Sequence, residues 1–434
     1  MMTLYSLLFF ILWPLLFLVF VWRYGLRRTL RGLPERFGFG GPWPGPGALW
    51  VHAASVGEVR AAENFLRALP ARFPGVPRLL TTTTVNGKEL AIRLGLAETV
   101  RLAPLDRPGA VSRFIHCARP RALVLVETEI WPYWLKTLAA HRVPVVVVNG
   151  RISDKAFPLY FRLRGAFAPL LTNLARVGVQ SPRQASRFLQ LGAHPEAVAI
   201  TGNLKFDVPL PDLARRAALF AAYGFSERDP ILVLGSTHPG EEAMGLEAFA
   251  SLRQNHRGLK LLVAPRHVER AGEIVRLISD HRFQAVLRSR LSRATDPWDV
   301  LVLDTVGELA EVYGLATVVF VGGSLVRHGG QNPLEAARWA VPLIFGPHME
   351  NFREIVALFR DNHAALFISN ASDLPRAVDG LLDSPSLSSA FGVLARTLAD
   401  GQRGALEANL GLLEEALAIP PEKLKRSSRR CGTC

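Results

Sequence analysis

The chain predicts an α/β protein built of two successive α/β halves, each a mainly parallel sheet covered by helices, behind an N-terminal membrane-anchor helix. Three observations carry this. Short apolar runs alternate with helical stretches along most of the 434 residues. The alternation stops at VPLPDL (208–213) and then restarts. Ahead of both halves, Leu4 to Trp22 contains no charged residue.

The elements follow in order. Residues 4–22 are long enough to cross a hydrocarbon core as a helix, and Pro14 is tolerated there. No basic residue precedes the run and no small-residue cleavage site follows, which argues against a removable signal peptide. Arg23, Arg27, Arg28, Arg31 and Arg36 follow instead, against Glu35 alone. By the positive-inside rule the rest of the chain is cytoplasmic. The sequence leaves open whether residues 4–22 span the membrane or lie along it. After a Gly/Pro-rich loop, GFGGPWPGPG (38–47), the first half offers strands at 48–55, 78–84, 122–128, 143–150, 176–181 and 197–203. Runs such as VVVV suit a sheet covered on both faces. The second half offers strands at 231–237, 260–266, 300–305, 317–324 and 341–347, and residues 386–417 read as helical. The expected domains are 1–31 (anchor and basic flank), 32–212, 213–417 and a basic tail, 418–434. A cleft between the two halves is the expected ligand site.

Composition excludes several classes. At 49% hydrophobic and 20% charged the chain is neither disordered nor fibrous. Three cysteines exclude a disulfide framework, and Cys431 and Cys434 fall in the terminal tail. The net charge of +14 is concentrated at the two ends, where it suits anionic lipid better than nucleic acid. There is no dinucleotide fingerprint, P-loop or G-x-S-x-G, and no histidine pair with metal-ligand spacing on a helix.

What remains is polar clusters at the predicted strand ends. In HAASVGEV (52–59), Glu58 falls in the first turn of a helix, where the dipole favours an ionised carboxylate able to accept a proton. The bland alternative is a residue that only complements the helix terminus. In ETEIWP (127–132), alternation puts Glu127 and Glu129 on one side of the backbone, with Lys205 of GNLKFD as a possible partner. Arg266 of APRHVER offers a donor fork for phosphate. DTVGEL places Gly307 and Glu308 at a strand-to-helix turn. GGSLVRHGGQNPLEAARWA reads as strand, glycine-rich turn and helix, with Asn332 as N-cap, Pro333 first in the helix and Glu335 three after the cap. Its four glycines suggest a backbone cradle for phosphate.

Taken together, HAASVGEV, TTTT, ETEIWP, NGRIS, QSPRQASRFLQLGA, TGNLKFD, STHPGEE, APRHVER, DTVGEL, VGGSLV, GGQNPLEA and GPHMENFREI resemble, in order, the 3-deoxy-D-manno-octulosonic acid (Kdo) transferases of lipopolysaccharide biosynthesis. The resemblance implies a GT-B glycosyltransferase, with two Rossmann-like domains, that moves Kdo from CMP-Kdo to the 6′-hydroxyl of lipid IVA with inversion and without a metal. It also implies a place on the cytoplasmic side of the bacterial inner membrane. By motif, Glu58 is the catalytic base, and Glu127 and Lys205 stabilise the transition state. Pro265 and Arg266, Val306, Gly307 and Glu308, and Asn332, Pro333, Leu334 and Glu335 bind CMP. Gln331 departs from the histidine that usually stands in G-G-H-N-P-L-E. The competing readings are another GT-B nucleotide-sugar enzyme (a different glycosyltransferase or an epimerase) and a sugar-binding protein without activity.

Overall fold

The computed structural model describes residues 18, 19, 21, 22, 25–207, 210–293 and 297–420. The expected anchor lies outside these but for four positions, and residues 421–434 of the basic tail, with Cys431 and Cys434, lie outside them too. Among the described residues no helix is long and apolar enough to cross a membrane. The first long helix, Leu26–Arg36, runs across the expected boundary at residue 31. It is docked by Glu35, which pairs with Lys88 at 2.5 Å and accepts the Leu102 N–H at 2.7 Å.

The chain divides into two units, 1–207 with 403–434, and 208–402. The first holds β1 (Leu49–His52), β2 (Arg78–Thr82), β3 (Thr99–Leu102), β4 (Ala122–Val126), β5 (Val145–Gly150), β6 (Leu174–Val179) and β7 (Val198–Ile200). They form a parallel sheet in the order β3-β2-β1-β4-β5-β6-β7. Successive β4 residues feed opposite faces: Ala122, Val124 and Val126 join one core, Leu123 and Leu125 the other. Helices cover both faces, so continuous apolar strands are required.

The second unit holds β8 (Ile231–Thr237), β9 (Lys260–Pro265), β10 (Ala285–Leu287), β11 (Val300–Val302), β12 (Val318–Val321), β13 (Leu343–Phe345) and β14 (Leu366–Phe367). Its parallel order is β10-β11-β9-β8-β12-β13-β14. In each sheet the sequence order reverses beside the first strand, between β1 and β4 and between β8 and β12. Such a reversal opens a crevice at the carboxyl ends of the strands.

Two expectations change. The helical stretch 386–417 is two helices, Pro385–Asp400 and Ala405–Ala418, interrupted where Gly404 adopts a φ of +92°. The second of them does not belong with 213–417. It packs on β5 and β6 of the first sheet. Buried Asn409 fixes it there, accepting from Asn149 N at 3.4 Å and the Thr201 hydroxyl at 3.3 Å.

Candidate active site

In the first unit, β1 runs out at His52 and the helix Val56–Ala61 begins shortly after it. Ser55 is its N-cap, its hydroxyl accepting the Glu58 N–H at 3.4 Å. The Glu58 carboxylate turns back over the helix start, accepting from Ala54 N and from the Ser55 hydroxyl. Glu58 therefore does complement the helix terminus, yet the same carboxyl also lines a cavity. That cavity, about 310 Å³, is lined by Glu58, Glu127, Glu129, Arg151, Ser153 and Tyr160 among others, all of the first unit.

Those neighbours overturn one expectation. Burial, and then the charges of Glu129 and Glu127, push the Glu58 carboxyl up to about 8, and the Ala54 and Ser55 hydrogen bonds only partly oppose this. The helix terminus does not keep it ionised at neutral pH, because desolvation beside two carboxylates outweighs a terminal dipole worth about 0.3–1 kcal/mol.

Glu127 and Glu129 do share the cavity, but not by strand alternation. β4 ends at Val126, and Glu127 takes a left-handed backbone, φ +63°. A non-glycine residue held there stores strain, a pattern typical of functional sites. The expected partnership with Lys205 is present, with Nζ 3.5 Å from Glu127 Oε1. The Asn203 side chain caps the short turn Leu204–Phe206, accepting the Lys205 backbone N–H at 3.0 Å. Glu129 is held by the Trp131 indole N–H at 2.8 Å and lies 3.7 Å from buried His52. Arg151, Ser153 and Tyr160 have no role in the sequence reading, although NGRIS is among the motifs that carry the resemblance.

In the second unit, Pro265 ends β9 and Arg266 follows, exposed, its backbone N–H donating to Thr237 O at 2.9 Å. Val306 is 85% exposed, and Gly307 has a φ of +95°, as a sharp strand-to-helix turn needs. Glu308 is already engaged, accepting from the Tyr223 hydroxyl at 2.7 Å and pairing with Arg288 at 2.9 Å. Burial would raise its carboxyl, but these two donors hold it below the usual carboxylate range.

The NPLE segment departs from the expected capped helix. Asn332 Oδ1 does accept from Leu334 N at 3.1 Å, but the helix is the single turn Leu334–Ala337 with Pro333 before it, and Glu335 completes no capping box. Burial pushes the Glu335 carboxyl up, and only nearby Arg266 opposes this.

The glycine turn is also corrected. Gly322 N donates to Gly235 O, Gly330 N to Gly323 O, and Gly323, Ser324 and Leu325 N–H groups all donate to buried Glu241. These donors are spent inside the protein and cannot cradle phosphate. Close packing explains the glycines instead: a Cβ at 322 would meet Ser236 O at 2.5 Å, and one at 330 would strike the Met349 sulfur.

Two seven-stranded parallel-sheet units, each with polar residues gathered at its order reversal, define the class, a two-unit α/β fold like that of GT-B proteins. Comparison with known proteins gives the family. The 3-Deoxy-D-manno-octulosonic-acid transferase (kdotransferase) model matches residues 31–208. The Bordetella pertussis 3-deoxy-D-manno-octulosonic acid transferase is 36% identical over 92% of this chain and 96% of its own. That of Haemophilus influenzae is 33% identical over 90% and 92%. A Rickettsia africae glycosyltransferase structure, 12% identical, covers 87% of this chain and 100% of its own at a TM-score of 0.53, a likeness of fold. The chain belongs to the 3-deoxy-D-manno-octulosonic acid transferase family. It is a glycosyltransferase of lipopolysaccharide biosynthesis.

Proposed function

We propose that the chain moves Kdo from CMP-Kdo to the 6′-hydroxyl of lipid IVA, inverting the anomeric centre, on the cytoplasmic side of the bacterial inner membrane and without a metal ion. The observation that carries this reading is the Glu58 cavity, in which a carboxyl group pushed up to about 8 sits with Glu127, Glu129 and the Lys205–Glu127 pair. A carboxylate of that basicity is a stronger proton acceptor than an ordinary glutamate. Ionised Glu58 takes the proton as the acceptor oxygen bonds to the anomeric carbon, and the bond from that carbon to the phosphate oxygen breaks. Glu127 and Glu129 favour the positive charge that develops on the sugar, and Lys205 holds Glu127 in place. In this reading CMP is bound through Pro265, Arg266, Val306, Gly307, Glu308 and Asn332 to Glu335, with the Arg266 guanidinium on the leaving phosphate. The apolar, arginine-flanked N-terminus supports attachment to anionic lipid at the inner membrane.

The test incubates purified full-length protein with CMP-Kdo generated in situ and detergent-dispersed lipid IVA, with and without chelator. Mass spectrometry should show a Kdo adduct in both arms, and the sugar's anomeric proton and carbon signals should report inversion. No adduct on lipid IVA would remove the acceptor, and a chelator-sensitive rate would remove the metal-free mechanism.

A further inference from the structure

With the Gly323, Ser324 and Leu325 N–H groups spent on Glu241, the side chains around the second order reversal are candidates for meeting an anion. His238 follows β8 and is only 8% exposed. Its ring stacks on that of His328, from the β12 loop, with centroids 4.0 Å apart and planes 14° from parallel. The amide nitrogen of Gln331 lies 3.0 Å from His238 Nε2. His267 stands edge-on at 6.2 Å, and it follows Arg266 directly.

Three arguments converge on these groups. Two imidazolium rings cannot stack face to face at 4.0 Å without strong repulsion, so at least one ring is neutral. Burial, and then His328, His267 and Arg266, hold His238 below the usual histidine range, while Glu242 pulls weakly the other way. With the Gln331 amide donating to Nε2, neutral His238 carries its proton on Nδ1, which has no hydrogen-bond partner among the described residues. Two nearby carboxylates are engaged, and a third, Glu335 near Arg266, is pushed up by its burial. Glu242 is bound by the Thr237 hydroxyl and Arg270, and Glu241 by four backbone N–H groups. A fixed N–H donor thus stands beside the exposed Arg266, His267 and His328, in a setting that favours a monoanionic phosphate.

We propose that His238, oriented by Gln331 and stacked on His328, is a phosphate-binding residue of the donor site. The proposal rests on the reading that the second unit binds a cytidine nucleotide. Gln331 is then a positioning residue: it fixes the ring's tautomer without adding a charge, which a histidine at that place would do on protonation.

The experiment titrates CMP and cytidine separately into the full-length protein and into His238→Gln, Gln331→Leu and His328→Ala, with melting temperatures recorded for each. His238→Gln should weaken CMP about tenfold, as loss of one hydrogen bond to a charged group does, and the other two about threefold, with cytidine affinity unchanged throughout. His328 is exposed, so its replacement tests the cluster even if the buried histidine proves necessary for folding. Unchanged CMP affinity in the folded variants would overturn the proposal. So would equal losses for CMP and cytidine, which would mark a structural role. A wild-type protein that binds cytidine nucleotide nowhere would remove the donor reading itself and the proposal with it.

Discussion

The two units use one architecture for opposite electrostatics. Each is a seven-stranded parallel sheet that reverses order beside its first strand and gathers its polar residues there. At the first reversal the groups are carboxylates, Glu58, Glu127 and Glu129, tempered by Lys205 and Arg151. At the second they are Arg266 and three histidines, with Glu241 and Glu242 tied to internal donors and the Glu335 carboxyl pushed up by burial. The crevice is a product of topology, whereas its charge is set by a few residues in the loops. An acidic crevice suits removing a proton and stabilising a cationic centre; a guanidinium and imidazole crevice suits holding a phosphate.

The largest expected effect breaks the acidic side alone. Glu58→Gln keeps the acceptor for the Ala54 N–H but removes the base, so Kdo transfer should fall about 10²–10⁴-fold. CMP affinity should stay within about twofold if the nucleotide belongs to the second unit. Wild-type turnover should rise with pH through about 8, because only the ionised carboxylate accepts a proton. Near-normal turnover of a folded Glu58→Gln variant would hand the role to Glu127 or Glu129.

A smaller effect sharpens the basic side. Arg266→Ala should weaken CMP binding by about 1.5–3 kcal/mol, roughly 10–150-fold, the worth of a hydrogen bond to a charged group. The pH at which turnover is half-maximal should not move, since Arg266 lies in the other unit from Glu58. A shift in that midpoint with unchanged CMP affinity would reverse the assignment of the two crevices.

Legibility of the sequence tracks the continuity of apolar runs. Every central strand is marked by an apolar run, but β3, β10 and β14 escape the sequence reading, and all three are edges. An edge strand pairs on one side only and needs no continuous apolar face: β14 is half-exposed along its length, and β3 contains Arg101, which donates to the carbonyls of Phe39, Gly40 and Pro42. The Lys205–Glu127 pair can be anticipated because both residues lie in segments that follow strands of one half. The Glu58 basicity cannot, because local sequence shows a helix start and not the two carboxylates brought in from the end of β4. The glycine turn misleads for a related reason. Its Gly323, Ser324 and Leu325 N–H groups look free in sequence, and the acceptor that takes them, Glu241, lies 82 residues before Gly323. His238 and His328 meet only once β8 and β12 are paired, so STHPGEE and RHGG give no sign of their stacking.

The smallest expected effect concerns stability, and its sign follows from Glu58. An unfolded chain releases that proton near the usual glutamate value of about 4.3, whereas the folded protein keeps it up to about 8. Between those values the native state binds the extra proton, so wild-type stability declines as pH rises through this window and levels off above it. A glutamine in that place does not titrate and escapes the decline. Glu58→Gln should therefore gain on wild type as pH increases from about 5 to about 8.5. The carboxyl is only partly buried, so the gain should be a discounted fraction of the full shift, about 1–2 kcal/mol. For a unit of this size that is a rise of about 2–8 °C in melting temperature relative to wild type. Well below about pH 4 the two proteins should melt together, because the wild-type side chain is uncharged there in the folded and unfolded states alike. If they melt together at about pH 8.5 as well, the two flanking carboxylates are not burdening Glu58, and the acidic crevice is better screened than its geometry implies.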